Sequence, residues 1–238
     1  MSGRVDFVFV DFDDTIVDTS PRFTGARRRL FEVLAQAGFT AEEAERLHHD
    51  EIDPIMRAQY GFGPHRLEHA FRETYERLRQ RAGHAMDHGI AESCAALGRT
   101  VAGTPPAFEG ALDALRRLAN VHPTALYTQS GDADYQMACV REAGILDVLP
   151  ATHIRIAAHK GVEDFRAAID AFGISEPERV WMVGNSMRCD VNPALEAGAN
   201  AILVETADPW HYDVVAPAGS HYHTAPSFAA AVDMLVKL

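Results

Sequence analysis

Five short apolar runs, alternating with segments of helical spacing, constrain the fold of this 238-residue chain more than any other feature. Val5 to Phe12 is the first of them, and Thr124 to Thr128, Thr152 to Ala157, Val180 to Gly184 and Ala201 to Val204 share its character. Apolar runs of this length are too short for helices and suit strands buried on both faces. Between them, Phe108 to Ala119 places Leu112, Leu115 and Leu118 on one side, and Tyr135 to Ala143, Val162 to Phe172 and Pro193 to Ala197 behave similarly. Gly144, Gly173 and Gly198 follow three of these segments in the manner of helix C-caps. Strands alternating with helices build βαβ units, so the expected fold is α/β, a parallel sheet flanked by helices on both faces. The tail from His221 to Leu238 reads as a short strand and a final helix, Phe228 to Leu235.

Residues 18–104 break that alternation. Arg27–Gln36, Ala41–His49, Leu67–Arg81 and Ile90–Leu97 are helix-like, with charged faces and few β-branched runs. Gly61-Phe62-Gly63-Pro64 interrupts the stretch, and Thr104-Pro105-Pro106 closes it. The expected organisation is a core domain of residues 1–17 and 105–238, with a helical subdomain of residues 18–104 inserted after the first strand.

Composition narrows the function classes. A formal net charge of −12 argues against a nucleic-acid backbone or an anionic membrane surface as the main partner. A small anionic substrate remains compatible, because a metal ion and a lysine set the local field. The three cysteines, Cys94, Cys139 and Cys189, form no Cys-x-x-Cys pair, so neither a disulfide framework nor a thiolate zinc site is indicated. The opening Met-Ser-Gly-Arg-Val-Asp lacks the apolar core of a signal peptide, and no segment approaches the ~20 apolar residues that cross a bilayer. A reducing cytoplasm is the expected location.

The chemistry begins at Asp11-Phe12-Asp13-Asp14-Thr15, directly after the apolar Val8-Phe9-Val10. Ligands bind at the carboxyl ends of strands in an open parallel sheet. Two carboxylates at i and i+2 past such an end repel each other unless a cation or a shared proton intervenes. They suit a division of labour in which one attacks phosphorus and the other handles a proton. The competing account is an inert, solvated acidic turn.

Three further positions agree in order. Leu126-Tyr127-Thr128-Gln129 ends a strand in a hydroxyl residue, Lys160 follows the strand near Ile156, and Met182-Val183-Gly184-Asn185-Ser186 leads to Asp190. Together with Asp-x-Asp-x-Thr, these resemble the four motifs of the haloacid dehalogenase-like (HAD) hydrolase superfamily, over Val5 to about Val204. The resemblance implies a Rossmann-like core, with residues 18–104 as a helical C1 cap. It implies a Mg²⁺-dependent phosphatase acting on a small phosphorylated metabolite through an aspartyl-phosphate. Asp11 is then the nucleophile and Asp13 the general acid/base. Thr128, Gln129 and Lys160 bind the phosphoryl group, and Asp11, the Asp13 carbonyl, Asn185 and Asp190 hold the metal.

One departure from the pattern matters. Asn185 stands where the fourth motif usually has Asp, which removes one negative charge; as an alternative to ligation, Asn185 caps a turn. Dehalogenases of the superfamily lack an acid at the position of Asp13, which favours phosphate esters here. A phosphomutase, and a binding module weakened by Asn185, stay open on motif logic.

The remaining features carry less. The pairs His65/His69 and His84/His88 have helical spacing but no third ligand, and read as solvated, as does His48-His49-Asp50-Glu51. Arg27-Arg28-Arg29 reads as an exposed helix face, Tyr60-Gly61-Phe62-Gly63 as a turn, and Trp181 as core. Trp210, in Asp208-Pro209-Trp210-His211, is placed at the mouth of the cleft.

Overall fold

The structure, a computed structural model, describes residues 5–207, 209–210 and 212–238. The leader reading of Met1 to Arg4, and the Asp208 and His211 neighbours of Trp210, lie outside the described residues. The chain forms two compact units. One holds the residues up to Thr19 together with Thr104–Gln129 and Gln136–Leu238; the other is Ser20–Gly103 with Ser130–Tyr135.

The first unit is built on six strands: β1 (Phe7–Val10), β2 (Thr124–Gln129), β3 (Ile154–Ala157), β4 (Val180–Gly184), β5 (Asn200–Val204) and β6 (Tyr222–Ala225). All pairings are parallel, in the order β3-β2-β1-β4-β5-β6. The α/β sheet read from the sequence is therefore present, with Val10 in register with Leu126 on one side and Val183 on the other. The chain runs outward from β1 to β3 and then returns to start β4 on the opposite side. That reversal opens a crevice at the carboxyl ends of β1, β2 and β4.

All four residues of β1 are buried, which shows that both faces of the sheet are covered. Phe7, Phe9, Tyr127 and Met182 pack on one face with Phe165 and Ile169. Phe165 and Ile169 come from the helix Val162–Ala171. Phe9 meets Phe165 edge-on at 5.3 Å between ring centroids and Tyr127 at 5.9 Å, a geometry aromatic quadrupoles favour. The helices Ala111–Val121 and Phe228–Leu235 pack against each other, and each buries a stripe at helical spacing: Ala111, Ala114, Leu115 and Leu118, and Phe228, Ala231, Val232 and Leu235.

The second unit is helical, with α1 (Ser20–Gln36), α2 (Ala41–Arg46), α3 (Asp53–Tyr60), α4 (Arg66–Arg81) and α5 (His88–Arg99). Ala26, Leu30 and Leu34 of α1 meet Leu67, Phe71, Tyr75 and Leu78 of α4 in one core. Gly98 lets α5 lie against α4, since a Cβ there would stand 2.4 Å from the Leu67 carbonyl. Residues Ser130–Tyr135 join this unit because Gly131 has no side chain: a Cβ on it would stand 2.5 Å from the Tyr60 carbonyl oxygen. Helix α3 went unseen in the sequence. It follows a wide π-type turn, Leu47–Ile52, which breaks the 3.6-residue period between α2 and α3.

That turn also corrects the expectation for His48. The residue is fully buried, not solvated, with its ring against Phe31 and Phe71. Thr74 Oγ1 gives its one hydrogen to the Ala70 carbonyl at 2.7 Å, so the 3.0 Å contact with His48 Nδ1 is a bond that the imidazole donates. Burial holds the His48 pKa well below the ordinary value, with further repulsion from His49 and Arg27. Trp181 is buried, as its strand context requires. His65, His84 and His88 are exposed, while His69 is half-buried and stacks on Tyr60 at 4.4 Å.

Candidate active site

β1 hands the chain to Asp11 under backbone control: the Asp11 N–H donates to the Val183 carbonyl at 2.9 Å. The following residues then curl back. The N–H groups of Ile16 and Val17 both donate to the Phe12 carbonyl, at 2.9 and 3.1 Å. Asp14 takes a left-handed φ of 53°, a conformation Asp tolerates, and its Oδ1 accepts from the Thr19 N–H at 2.9 Å. The curl fixes the direction of Asp13. Its Oδ1 accepts from the Thr19 hydroxyl at 2.6 Å, and its Oδ2 from Gln136 Nε2 at 2.9 Å.

Asp11 is nearly buried and meets a single ammonium. Lys160, in the turn after β3, donates from Nζ to Asp11 Oδ1 at 2.7 Å and also to Asp190 Oδ1. Burial alone would lower the Lys160 pKa, but the two carboxylates outweigh it and raise it. The Tyr127 ring lies beneath the ammonium, 5.0 Å from Nζ to centroid.

The arrival of Asp190 follows from local structure. Ser186 Oγ accepts from the Cys189 N–H at 3.0 Å and opens a π-type turn, Met187–Val191. The turn brings the Asp190 carboxylate back over Gly184, where its Oδ2 accepts from the Ser186 N–H at 2.9 Å. A side chain at position 184 would fill that space, because a Cβ there falls 2.3 Å from Asp190 Cγ. Burial pushes the Asp190 carboxyl up, against the pull of Lys160.

Asp13 carries the other perturbed carboxyl. Burial first, and then the charge of Asp11, raise its pKa to about 6, against the lowering effect of the bonds from Thr19 and Gln136. Asp11 and Asp190 share the one ammonium of Lys160, and Asp13 adds a charge that repels Asp11, so these three carboxylates exceed Lys160 by two negative charges when all are ionised.

The surplus bears on metal binding. Thr15 Oγ1 lies 3.3 Å from both Asp11 Oδ2 and Asn185 Oδ1, and its one hydrogen serves one of them at a time. Two oxygens converging on one weak donor, with the Asp13 carbonyl beside them in sequence, form an oxygen-only donor set suited to a hard divalent cation. Both oxygens of Asp190 are engaged, by Lys160 and by the Ser186 N–H. Among the described residues, no three His, Cys, Asp or Glu side chains form a metal-binding group, so such a set depends on the Asn185 amide and a backbone carbonyl.

The structure thus joins Asp11, Lys160 and Asp190 directly, links Asp13 to Thr128 through Gln136, and brings Asn185 in through Thr15. Gln129 does not join them. It follows Thr128 on a strand, where alternate side chains diverge, and its amide donates to the Ala158 carbonyl at 3.0 Å. Sequence reasoning missed Gln136, Thr19 and Asp213. The last accepts from Ser186 Oγ at 2.6 Å, and burial raises its pKa. No motif spacing marks any of the three.

Comparison with known proteins bears on the fold and the family. No curated protein matches the chain. Among solved structures, a haloacid dehalogenase-like family hydrolase from Xanthomonas campestris superposes with a TM-score of 0.80 at 20% identity, covering 99% of this chain and 95% of its own. The HAD-hydrolase YfnB from Bacillus subtilis, bound to magnesium, gives 0.60 at 17% identity, with 98% and 99% coverage. A 2-haloacid dehalogenase from Pseudomonas syringae gives 0.58 at 19%, with the same coverages. A HAD phosphatase from Thermococcus onnurineus is also similar. At these identities the likeness establishes the fold. The family model for haloacid dehalogenase-like hydrolases matches residues 5–198, most of the chain, and the protein belongs to that family of hydrolases.

Proposed function

We propose that this hydrolase is a Mg²⁺-dependent phosphatase that cleaves a small-molecule phosphate monoester through an aspartyl-phosphate on Asp11. The observation that carries the reading is Asp13. Its carboxyl is held on both oxygens and has a pKa raised to about 6, so near neutral pH it can both give and take a proton. Displacing an alkoxide from phosphorus needs such a group. Displacing halide from carbon does not, which favours phosphate over haloacid chemistry although dehalogenases share the fold.

In the first step an Asp11 oxygen forms the bond to phosphorus, the ester P–O bond breaks, and Asp13 gives its proton to the leaving oxygen. In the second, water attacks phosphorus, Asp13 takes its proton, and the Asp11–phosphorus bond breaks to release phosphate. Lys160, paired to Asp11 at 2.7 Å, supports the ionised nucleophile and supplies positive charge for the phosphoryl oxygens. The Thr128 hydroxyl, near the end of β2, is a donor for the same oxygens. Asp11, the Asp13 carbonyl and Asn185 would hold Mg²⁺, with Asp190 acting through Lys160 or a water. The ion would neutralise charge on the transferring group.

We read the helical unit as a C1-type cap that selects the substrate. The chain's net charge of −12 supports a small phosphorylated metabolite over nucleic acid or an anionic membrane as partner. Among the described residues no helix is long and apolar enough to cross a membrane. The test is metal-stimulated hydrolysis of p-nitrophenyl phosphate, with Asp11→Asn expected to abolish turnover in a folded protein. Halide release from 2-haloacids without metal, or wild-type turnover by Asp11→Asn, overturns the reading.

A further inference from the structure

Gln136 hydrogen-bonds to both Asp13 and Thr128. It sits in the helix Ala133–Glu142, buried to 6% exposure, with Nε2 at 2.9 Å from Asp13 Oδ2 and 3.0 Å from Thr128 Oγ1. A terminal amide has two N–H groups, and these two oxygens use both. The opposite orientation would set the amide carbonyl against the Asp13 carboxylate, so the nitrogen end faces them.

The polarity of this contact fixes the polarity of the next. A threonine hydroxyl has one hydrogen, and an oxygen that accepts from Gln136 keeps that hydrogen for another acceptor. Among the described residues, Thr128 Oγ1 donates to no acceptor, so the hydrogen is available to an anionic oxygen. On the Asp13 side, Gln136 and Thr19 grip one carboxylate oxygen each, at 2.9 and 2.6 Å, which stops the carboxyl from rotating. One amide therefore sets the group that exchanges the leaving-group proton and the group that donates to the phosphoryl oxygen.

We propose that Gln136 is a positioning residue of this centre, locking the Asp13 carboxyl for proton transfer and turning the Thr128 hydroxyl outward as a donor to the phosphoryl group. The proposal rests on the phosphatase reading for its chemistry, though its geometry stands apart from it. Asp13 lies in the curl after β1 and Thr128 on β2, and among the described residues the hydrogen bonds that link the two run through the Gln136 amide.

The experiment compares wild type with Gln136→Met, which keeps the length and loses the amide, and with Gln136→Ala, so that a folding failure in one leaves the other. Each is assayed with Mg²⁺ on an alkyl phosphate, whose alkoxide must be protonated to leave, and on p-nitrophenyl phosphate, whose phenolate leaves unaided. General acid catalysis contributes about 10²-fold or more, so kcat/KM should fall about 100-fold on the alkyl ester and about tenfold or less on the aryl ester. Binding of inorganic phosphate, measured by calorimetry, should weaken about tenfold through the misdirected Thr128 hydroxyl. A general loss of structure would lower both esters equally and leave their ratio unchanged. An alkyl-to-aryl ratio within about twofold of wild type overturns the proposal. If wild type cleaves neither ester, the phosphatase reading fails, and phosphate binding decides for Gln136: weaker binding by the variants supports it, equal binding overturns it.

Discussion

Gly184→Ala tests how the fourth-motif carboxylate is placed. A Cβ at position 184 would lie 2.3 Å from both Asp190 Cγ and Oδ2, and 2.8 Å from Asp190 Cβ. Ordinary carbon contacts begin near 3.4 Å, so the carboxylate must retreat by about 1 Å. It cannot do so and keep its partners, because Oδ2 is fixed by the Ser186 N–H at 2.9 Å and Oδ1 by Lys160. Disrupting a buried, hydrogen-bonded charge pair costs about 3–5 kcal/mol. Lys160 keeps Asp11 at 2.7 Å as a second partner, which places the expected loss at the lower end, about 3 kcal/mol. A displacement of about 1 Å in a positioned group costs about 10²-fold in rate, so kcat should fall by that order while the protein stays folded. Urea denaturation gives the first number, and single-turnover hydrolysis of p-nitrophenyl phosphate the second. A loss below about 1 kcal/mol, with a crystal structure of the variant retaining the Lys160–Asp190 contact, would refute the account of why glycine stands there.

Four other substitutions probe separate features. His48 is held neutral, so between its lowered folded pKa and about 6.5 the unfolded chain binds a proton that the native one does not. Stability therefore falls as pH drops below about 6.5, by up to about 1.4 kcal/mol per pH unit, and is flat in this respect above it. Urea titrations at several pH values should show that slope in wild type and lose it in His48→Asn, which keeps a donor for Thr74. Gly98→Ala forces a Cβ to 2.4 Å from Leu67 backbone, which moves only if α4 and α5 separate, and should cost about 3 kcal/mol in thermal or urea denaturation. Gly25→Ala in α1, with no atom nearer than 3.9 Å, should instead stabilise by up to about 1 kcal/mol. Asn185→Asp adds a charge to the oxygen donor set, so the Mg²⁺ concentration for half-maximal activity should fall about tenfold; an unchanged midpoint would remove Asn185 from the metal set.

The sheet was legible because a parallel strand buried on both faces writes itself as a continuous apolar run. Val180–Gly184 and the tail helix Phe228–Leu235 match their sequence-derived limits residue for residue. The helical unit was legible only in part. Its helices announce themselves by charged and apolar faces at 3.6-residue spacing, but the π-type turn at Leu47–Ile52 shifts that phase and hid α3. The same turn buried His48, whose polar neighbours in sequence, His49, Asp50 and Glu51, advertise a solvated run. Local composition reports burial only while the helical period holds.

The candidate site divides along a similar line. Asp11, Thr128, Lys160, Asn185 and Asp190 lie at or just after strand ends, so strand prediction and motif order find them together. Gln136 lies eight residues beyond Thr128 and 123 from Asp13, and reaches both only because its helix returns past the ends of β1 and β2. Nothing in its sequence neighbourhood distinguishes it from a surface glutamine. Gln129 was the more conspicuous amide, being adjacent to Thr128, yet strand alternation turns its side chain to Ala158. Both results come from one geometric fact. On a strand, adjacent residues point apart, so the amide that serves Thr128 has to come from another element. A search for groups supporting a strand-end hydroxyl should begin on the helix that follows, one or two turns in, and not at the next residue.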